Sequence, residues 1–249
     1  MSLFQVPPRT KYDLNFTLLG IPVQVHPLFW VLTILLGASS GSVIYILIWI
    51  IVVFVSILIH EMGHSLMMRT YGQESYVVLH VMGGLAVPIS SRWGSQRDRT
   101  PIEQIFISLA GPFAGFLLAT FVLAGVAIMG GSIKISWFLG FLPLPNAWLF
   151  GVNQAVNVMI SMLLWVNVFW SLINLMPTFP LDGGQVARQL FIMFDPWDGV
   201  RKSLWLSVIS GAMIAIIGWV VLNSTFMALL FLFLALQSYQ MLHGGGSRF

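Results

Sequence analysis

Residues 43–67 read VIYILIWIIVVFVSILIHEMGHSLM. From Val43 to Ile59 the run carries no charge. With its continuation to Met67 it reaches the roughly 20 apolar residues that an α-helix needs to cross a bilayer. Its last turns hold His60, Glu61 and His64. Positions i and i+4 share one face of a helix, so the two histidines can offer imidazole nitrogens to a single metal ion. Glu61, beside them, can take a proton from a water activated by that ion. Ionisable groups at the inner end of an apolar helix are costly and mark function by default. The plainer alternative is a helix end whose polar side chains merely reach interfacial water. It does not explain why, of all the apolar runs, this one holds an acidic residue so deep.

The rest of the chain agrees with a membrane setting. Of 249 residues, 58% are hydrophobic and 8% charged, against about 25% charged in a soluble domain. The mean hydropathy is +0.91. Such a chain cannot cover a water-soluble globule with polar surface, so the apolar surplus faces lipid. Further apolar runs extend from 102 to 129, 148 to 175, 203 to 222 and 225 to 242, and a short sixth from Pro27 to Ala38. Asn223-Ser224 reads as a tight turn that makes the last two an antiparallel hairpin. Phe16 to Val25, with a Gly-Ile-Pro break, reads as a strand. Tyr76 to Ile89, β-branched and interrupted by Gly83-Gly84, reads as a hairpin too short to span. The expected fold class is an all-α polytopic membrane protein. It has about six transmembrane helices around a three-helix core and a small membrane-associated β element. Residues 1–249 are expected to form a single domain, with its core at about 20–184 and a C-terminal helical hairpin at about 203–242.

Charge gives the orientation. Six spans place Arg9, Lys11, Arg69, Arg92, Arg97, Arg99, Arg188, Arg201, Lys202 and Arg248 on one side and only Lys134 on the other. By the positive-inside rule both termini, and the histidine end of the second span, face the cytoplasm. Eleven basic residues spread over 249 positions form no stripe for phosphates, so no nucleic-acid partner is expected. The lack of Cys excludes thiolate zinc sites, iron–sulfur clusters and disulfides. Residues 1–15 show no apolar core followed by a cleavage site, so no cleavable signal peptide is expected.

A catalytic zinc usually has three protein ligands and an open fourth position. His26, His80 and His243 are available, but Asp182 is the stronger candidate for the third. It lies in NLMPTFPLDGG, residues 174–184, directly after the fourth span and on the predicted cytoplasmic side. Pro177 and Pro180 bar a regular helix there, and Gly183-Gly184 allow tight turning. An Asp in a Pro/Gly turn is also an ordinary loop residue. His80 reads as a packed or interfacial histidine. Trp93, Trp137, Trp148 and Trp197 suit interfacial belts, and Arg92, Arg97 and Arg99 suit topology and anionic headgroups.

Taken together, these residues resemble the site-2 protease family of intramembrane zinc metalloproteases. HEMGH at 60–64 is similar to its zinc-binding helix and NLMPTFPLDGG at 174–184 to its second motif. The Gly83-Gly84 hairpin, SLAGP at 108–112 and GIPVQVHPLFW at 20–30 fall in the same order. The resemblance implies Zn2+ held by His60, His64 and Asp182, with Glu61 as general base. It implies that Asn174 holds substrate or stabilises the oxyanion, although an Asn near a helix end is often just bonded to backbone. The implied activity is hydrolysis of peptide bonds in or near transmembrane segments of protein substrates within the lipid bilayer, in regulated intramembrane proteolysis. The Gly83-Gly84 hairpin then offers a strand edge to the unwound substrate. The sequence departs from the family after AGP, where many members soon have Asn but this chain reads AGPFAGF with Gly115 near that position, a change expected to affect helix packing. It shows no insertion long enough for a PDZ domain and no cystathionine-β-synthase pair, so regulation through these is not expected. Two rivals are a catalytically silent binder of transmembrane helices and a membrane metal transporter. A silent relative should have lost Glu61 or a ligand. A transporter should have more polar spans.

Overall fold

The computed structural model describes residues 7–38, 41–81, 83–89, 99–138 and 142–244. Arg92, Arg97 and Arg248 of the charge asymmetry, and Trp93 of the interfacial belt, lie outside them. The chain divides into two compact units, one of residues 1–96 and 110–171, the other of 97–109 and 172–249.

The first unit opens with strands β1 (Leu14–Leu18) and β2 (Ile21–Val25), joined by Leu19-Gly20. Both turn residues have positive φ, 51° and 80°, which suits a two-residue hairpin to the twist of its strands. The single strand expected over Phe16 to Val25 is therefore two, folded at Gly20. Helix α1 (Pro27–Gly37) follows, capped by the His26 side chain, which accepts from Leu28 N–H at 3.2 Å. At 11 residues it is the short sixth apolar run. Helix α2 (Val43–Thr70) carries the HEMGH segment. It ends where Gly72, φ 74°, lets Gln73 N–H reach the Met68 carbonyl and Gly72 N–H the Arg69 carbonyl, a left-handed glycine cap. Strands β3 (Ser75–His80) and β4 (Gly83–Pro88) form the expected hairpin.

These strands make one sheet in the order β1-β2-β3-β4, with β2 and β3 parallel. Parallel neighbours need a crossover, and α1 and α2 supply it. Val23 and Val25 of β2 and Val77 and Leu79 of β3 pack with Phe29, Val53, Ile57, Leu58 and Met62 in one core. A strand covered on both faces reads as a continuous apolar run rather than an alternating one, as VVL at 77–79 does.

Helix α3 (Pro101–Ile128) starts with a capping box: Glu103 N–H donates to Thr100 Oγ1 and Thr100 N–H to Glu103 Oε2. A two-stranded ribbon, β5 (Ser132–Phe138) and β6 (Leu142–Trp148), leads to helix α4 (Gln154–Asn174). The sequence reading gave this ribbon no strand and began the fourth span at Trp148. The helix starts later because Asn153 Oδ1 accepts Ala155 N–H at 2.9 Å, and because Asn157 fastens the Leu149 backbone through two bonds of 2.8 and 3.0 Å. Pro143 and Pro145 sit within β6, which a two-stranded ribbon tolerates because it has an outer edge where no donor is needed.

The second unit contains helix α5 (Asp182–Phe194), unforeseen from sequence, then α6 (Gly199–Val220) and α7 (Thr225–Gly244). Asn223, φ 48°, turns the chain between the last two, and Ser224 Oγ accepts Met227 N–H to start α7. Gly211 faces Ala235 and Phe231, while Gly218 faces Ala228 and Met227, so the two helices run antiparallel as expected. Among the described residues five helices, α2, α3, α4, α6 and α7, are long and apolar enough to cross a membrane.

Candidate metal centre

His60, Glu61 and His64 sit within the apolar stretch of α2 and are only 4%, 6% and 7% exposed. They begin 17 residues after Val43, about 26 Å along the axis at 1.5 Å per residue, so they lie toward the far end of the helix. One ligand atom from each of the three lies within 4.8 Å of the others. The imidazole planes are nearly perpendicular, at 78°, and the two Nε2 atoms stand 3.2 Å apart. Two nitrogens bound at about 2.0–2.1 Å to one tetrahedral ion would stand about 3.3–3.4 Å apart. Spacing and donor chemistry, two imidazoles with a carboxylate beside them, therefore fit a zinc ion.

Neighbouring elements enclose the three side chains. Gly63 lets α2 approach α3 so closely that a Cβ there would meet the Ala110 carbonyl and, at 2.9 Å, the Ala114 Cβ. A Cβ on Gly111 of α3 would touch His64 and would lie 2.8 Å from His60 Nε2. On the sheet side, a Cβ on Gly84 of β4 would lie 2.6 Å from Glu61 Oε1. One turn before His60, Ser56 Oγ accepts a hydrogen bond from Asn167 of α4 at 2.8 Å, and Asn167 also donates to the Leu163 carbonyl. Ser56 and Asn167 are both buried. The sequence reading missed Gly84, Gly111 and Asn167 as neighbours of the site. Their signal was weak, since a glycine or one Asn in an apolar helix has many uses.

Strand β4 ends the sheet, so among the described residues one of its edges is open. Ile89 N–H donates to the Glu74 carbonyl, and in the antiparallel register Ser75↔Pro88, Val77↔Ala86 and Leu79↔Gly84 are the alternate pairs. Hydrogen-bonded and non-hydrogen-bonded pairs alternate. The backbone groups of Gly84 and Ala86 therefore point to the open edge.

The other residues singled out from sequence lie elsewhere. His26 and His80 follow one another across the parallel β2–β3 pair, where His26 N–H donates to the Leu79 carbonyl at 2.8 Å. His80 is buried; that burial, and secondarily the neighbouring His26, hold its pKa below the usual histidine value. It is a packed histidine, as expected. His243 is exposed near the end of α7, with Nδ1 3.0 Å from the Tyr239 carbonyl.

Asn174 and Asp182 belong to the second unit. Asn174 is the last residue of α4 and Asp182 the first of α5. The segment between them is non-helical, as Pro177 and Pro180 predicted. Gly183 and Gly184, expected to turn, are instead helical. A Cβ on either would strike the backbone of Leu175 or of Thr178 and Phe179, so these glycines serve close approach. Serines of α6 hold the segment: Phe179 N–H donates to Ser207 Oγ at 3.0 Å, Ser210 Oγ donates to the Pro177 carbonyl at 2.9 Å, and Thr178 Oγ1 lies 2.9 Å from Ser210 Oγ. Asp182 thus opens a helix.

Comparison with known proteins gives a consistent picture. A family model, "Peptidase family M50", matches residues 48–217. Zinc metalloprotease MJ0392 of Methanocaldococcus jannaschii is 28% identical over 180 residues, covering 70% of this chain and 44% of that protein. The putative zinc metalloprotease sll0528 of Synechocystis is 30% identical over 188 residues, covering 70% and 42%. The chain thus spans less than half the length of these curated relatives. Among solved structures, the site-2 protease from Methanocaldococcus jannaschii aligns with a TM-score of 0.53 and 24% identity, covering 93% of this chain and 95% of that one. The two share a fold.

Proposed function

The chain belongs to peptidase family M50, and from that premise we propose that residues 1–249 act as one integral membrane zinc endopeptidase domain that cuts transmembrane segments of other proteins. The observation that carries this reading is the convergence of His60, Glu61 and His64 inside an apolar helix, beneath β4, which among the described residues ends its sheet. His60, His64 and Asp182 would hold the zinc. When bound, zinc supplies Lewis-acid polarisation of the scissile carbonyl and acidifies water. Glu61 takes the proton of the attacking water and passes it to the departing amine, so one water adds across the C–N bond. Asn174 orients the substrate or stabilises the developing oxyanion.

A peptide bond within a helix is shielded and already hydrogen-bonded, so the substrate must unwind. The edge groups of Gly84 and Ala86 can pair with the unwound segment as an added strand, above Glu61. Ala86→Pro removes one edge donor without removing a β3–β4 bond, so it should impair cleavage and leave zinc bound. Unchanged cleavage would sink this docking mode. The basic residues at the helix ends put both termini and the metal-site end at the cytoplasmic face, where water has a short path to the site. Regulated intramembrane proteolysis is the setting such a protease serves.

Glu61→Gln tests the reading. General-base catalysis contributes about 10²–10⁴-fold, so the variant should lose proteolysis and keep zinc. Single-span fragments, scored by mass spectrometry of membranes, should accumulate in cells with the variant and not in cells with the original chain. No difference, with zinc confirmed in both proteins, would favour a silent binder.

A further inference from the structure

We infer that Gly84 and Gly111 are positioning residues, one reserving the space of the Glu61 carboxylate and the other the space of the His60 and His64 nitrogens. The inference rests on the metalloprotease reading and extends it to residues outside the donor set. A Cβ on Gly84 would collide with Glu61 at Cγ, with Oε1 at 2.6 Å and Cδ at 2.7 Å. A Cβ on Gly111 would collide with His64 at Nε2, with Cε1 at 2.5 Å and His60 Nε2 at 2.8 Å. Real Cβ atoms essentially never come within 3.0 Å of such neighbours. Neither glycine has a positive φ, in contrast to Gly83 at 112°. Space, not backbone conformation, is therefore what demands glycine at both positions.

The other close-packed glycines of this unit serve a different purpose. Gly37 meets Trp49, Gly63 meets Ala110 and Ala114, Gly115 meets Ser171 and Asn167, and Gly131 meets Val126, Trp148 and Leu149. Among the described glycines only Gly84 and Gly111 face atoms of His60, Glu61 or His64. The two clashes differ in consequence. Glu61 has rotatable bonds and can swing aside, which relieves the contact but moves the carboxylate from the nitrogen pair. An imidazole can escape only by turning its ring about χ1 or χ2, which separates the two Nε2 atoms. An alanine at 84 should therefore damage proton transfer and spare metal binding, whereas one at 111 should damage metal binding itself.

The test uses the full chain purified in detergent, with zinc as the probe, and compares Gly84→Ala, Gly111→Ala and, as a packing control on α3, Gly115→Ala. Zinc affinity by chelator competition and thermal unfolding with and without zinc are read for each. Gly111→Ala should bind zinc at least tenfold more weakly and lose most of the zinc-induced rise in Tm, with helix content retained. Gly115→Ala should keep that rise. Wild-type affinity in Gly111→Ala overturns its half of the inference, as does a fall in Tm of equal size with and without zinc, since either makes it a packing residue. Gly84→Ala should bind zinc within threefold of the original chain and show kcat at least tenfold lower at unchanged KM, on a substrate identified by the fragment-accumulation experiment. A loss of zinc, or an unchanged kcat, overturns that half. An original chain that binds no zinc defeats the metalloprotease reading instead.

Discussion

In the first unit Val25, Val77 and Leu79 are wholly buried, and large aliphatic side chains seal a sheet against α2. In the second, α6 and α7 meet through Gly211, Gly218, Ala228 and Ala235, and hydroxyls of Ser207 and Ser210 tie down the segment before Asp182. Burying a Val or Leu in water-exposed surroundings stabilises by about 1.5–3 kcal/mol. Lipid tails offer no such gain between helices, so helices inside a bilayer rely on close approach and hydrogen bonds. The sheet can therefore fix a buried polar cluster rigidly through aliphatic packing. The helical hairpin instead fixes its neighbouring segment by small residues and hydroxyl bonds.

The largest expected effect asks whether the two units share one metal. Asp182→Ala, at the head of α5, should weaken zinc binding at least tenfold, because a catalytic site with two protein ligands falls short of the usual three. Zinc affinity equal to that of the original chain would confine the site to the first unit. A smaller effect separates the two kinds of packing. Leu79→Ala should cost about 2–5 kcal/mol by leaving a cavity, while Gly211→Val should cost about 1–3 kcal/mol by forcing α6 from α7; unfolding in mixed micelles measures both. If the order reverses, small-residue packing outweighs the aliphatic core.

The smallest effect is in pH. The pKa of His80 is lowered by burial, then by His26, so the unfolded chain takes up its proton first as pH falls. The folded state should lose stability below about pH 6.5, the ordinary histidine value, and should hold it above. His80→Gln should flatten this slope in the thermal unfolding of the zinc-free protein, whereas an unchanged slope would assign it to other groups.

Much of the site was legible one residue at a time. The i, i+4 spacing of His60 and His64 is a property of any helix, so their convergence needed only the helix to be recognised. Gly84 and Gly111 were not legible in the same way. Each lies on a different element, and their nearness to α2 depends on how β4 and α3 pack, which no local pattern encodes. Helix α5 was missed for a related reason. Pro177, Pro180, Gly183 and Gly184 read locally as a turn, but Gly183 and Gly184 form helix because the preceding segment lies against them.

The amino-acid sequence alone determined the membrane class, the apolar helices, the α6–α7 turn at Asn223 and the imidazole pair on one face, because length, periodicity and charge act within a single element. Only the tertiary structure decided that β2 and β3 pair in parallel across the α1–α2 crossover, that β4 lies at the open edge, and that two glycines from separate elements border Glu61 and the nitrogen pair. Those relations join residues distant in sequence, and close packing alone fixes which of them touch.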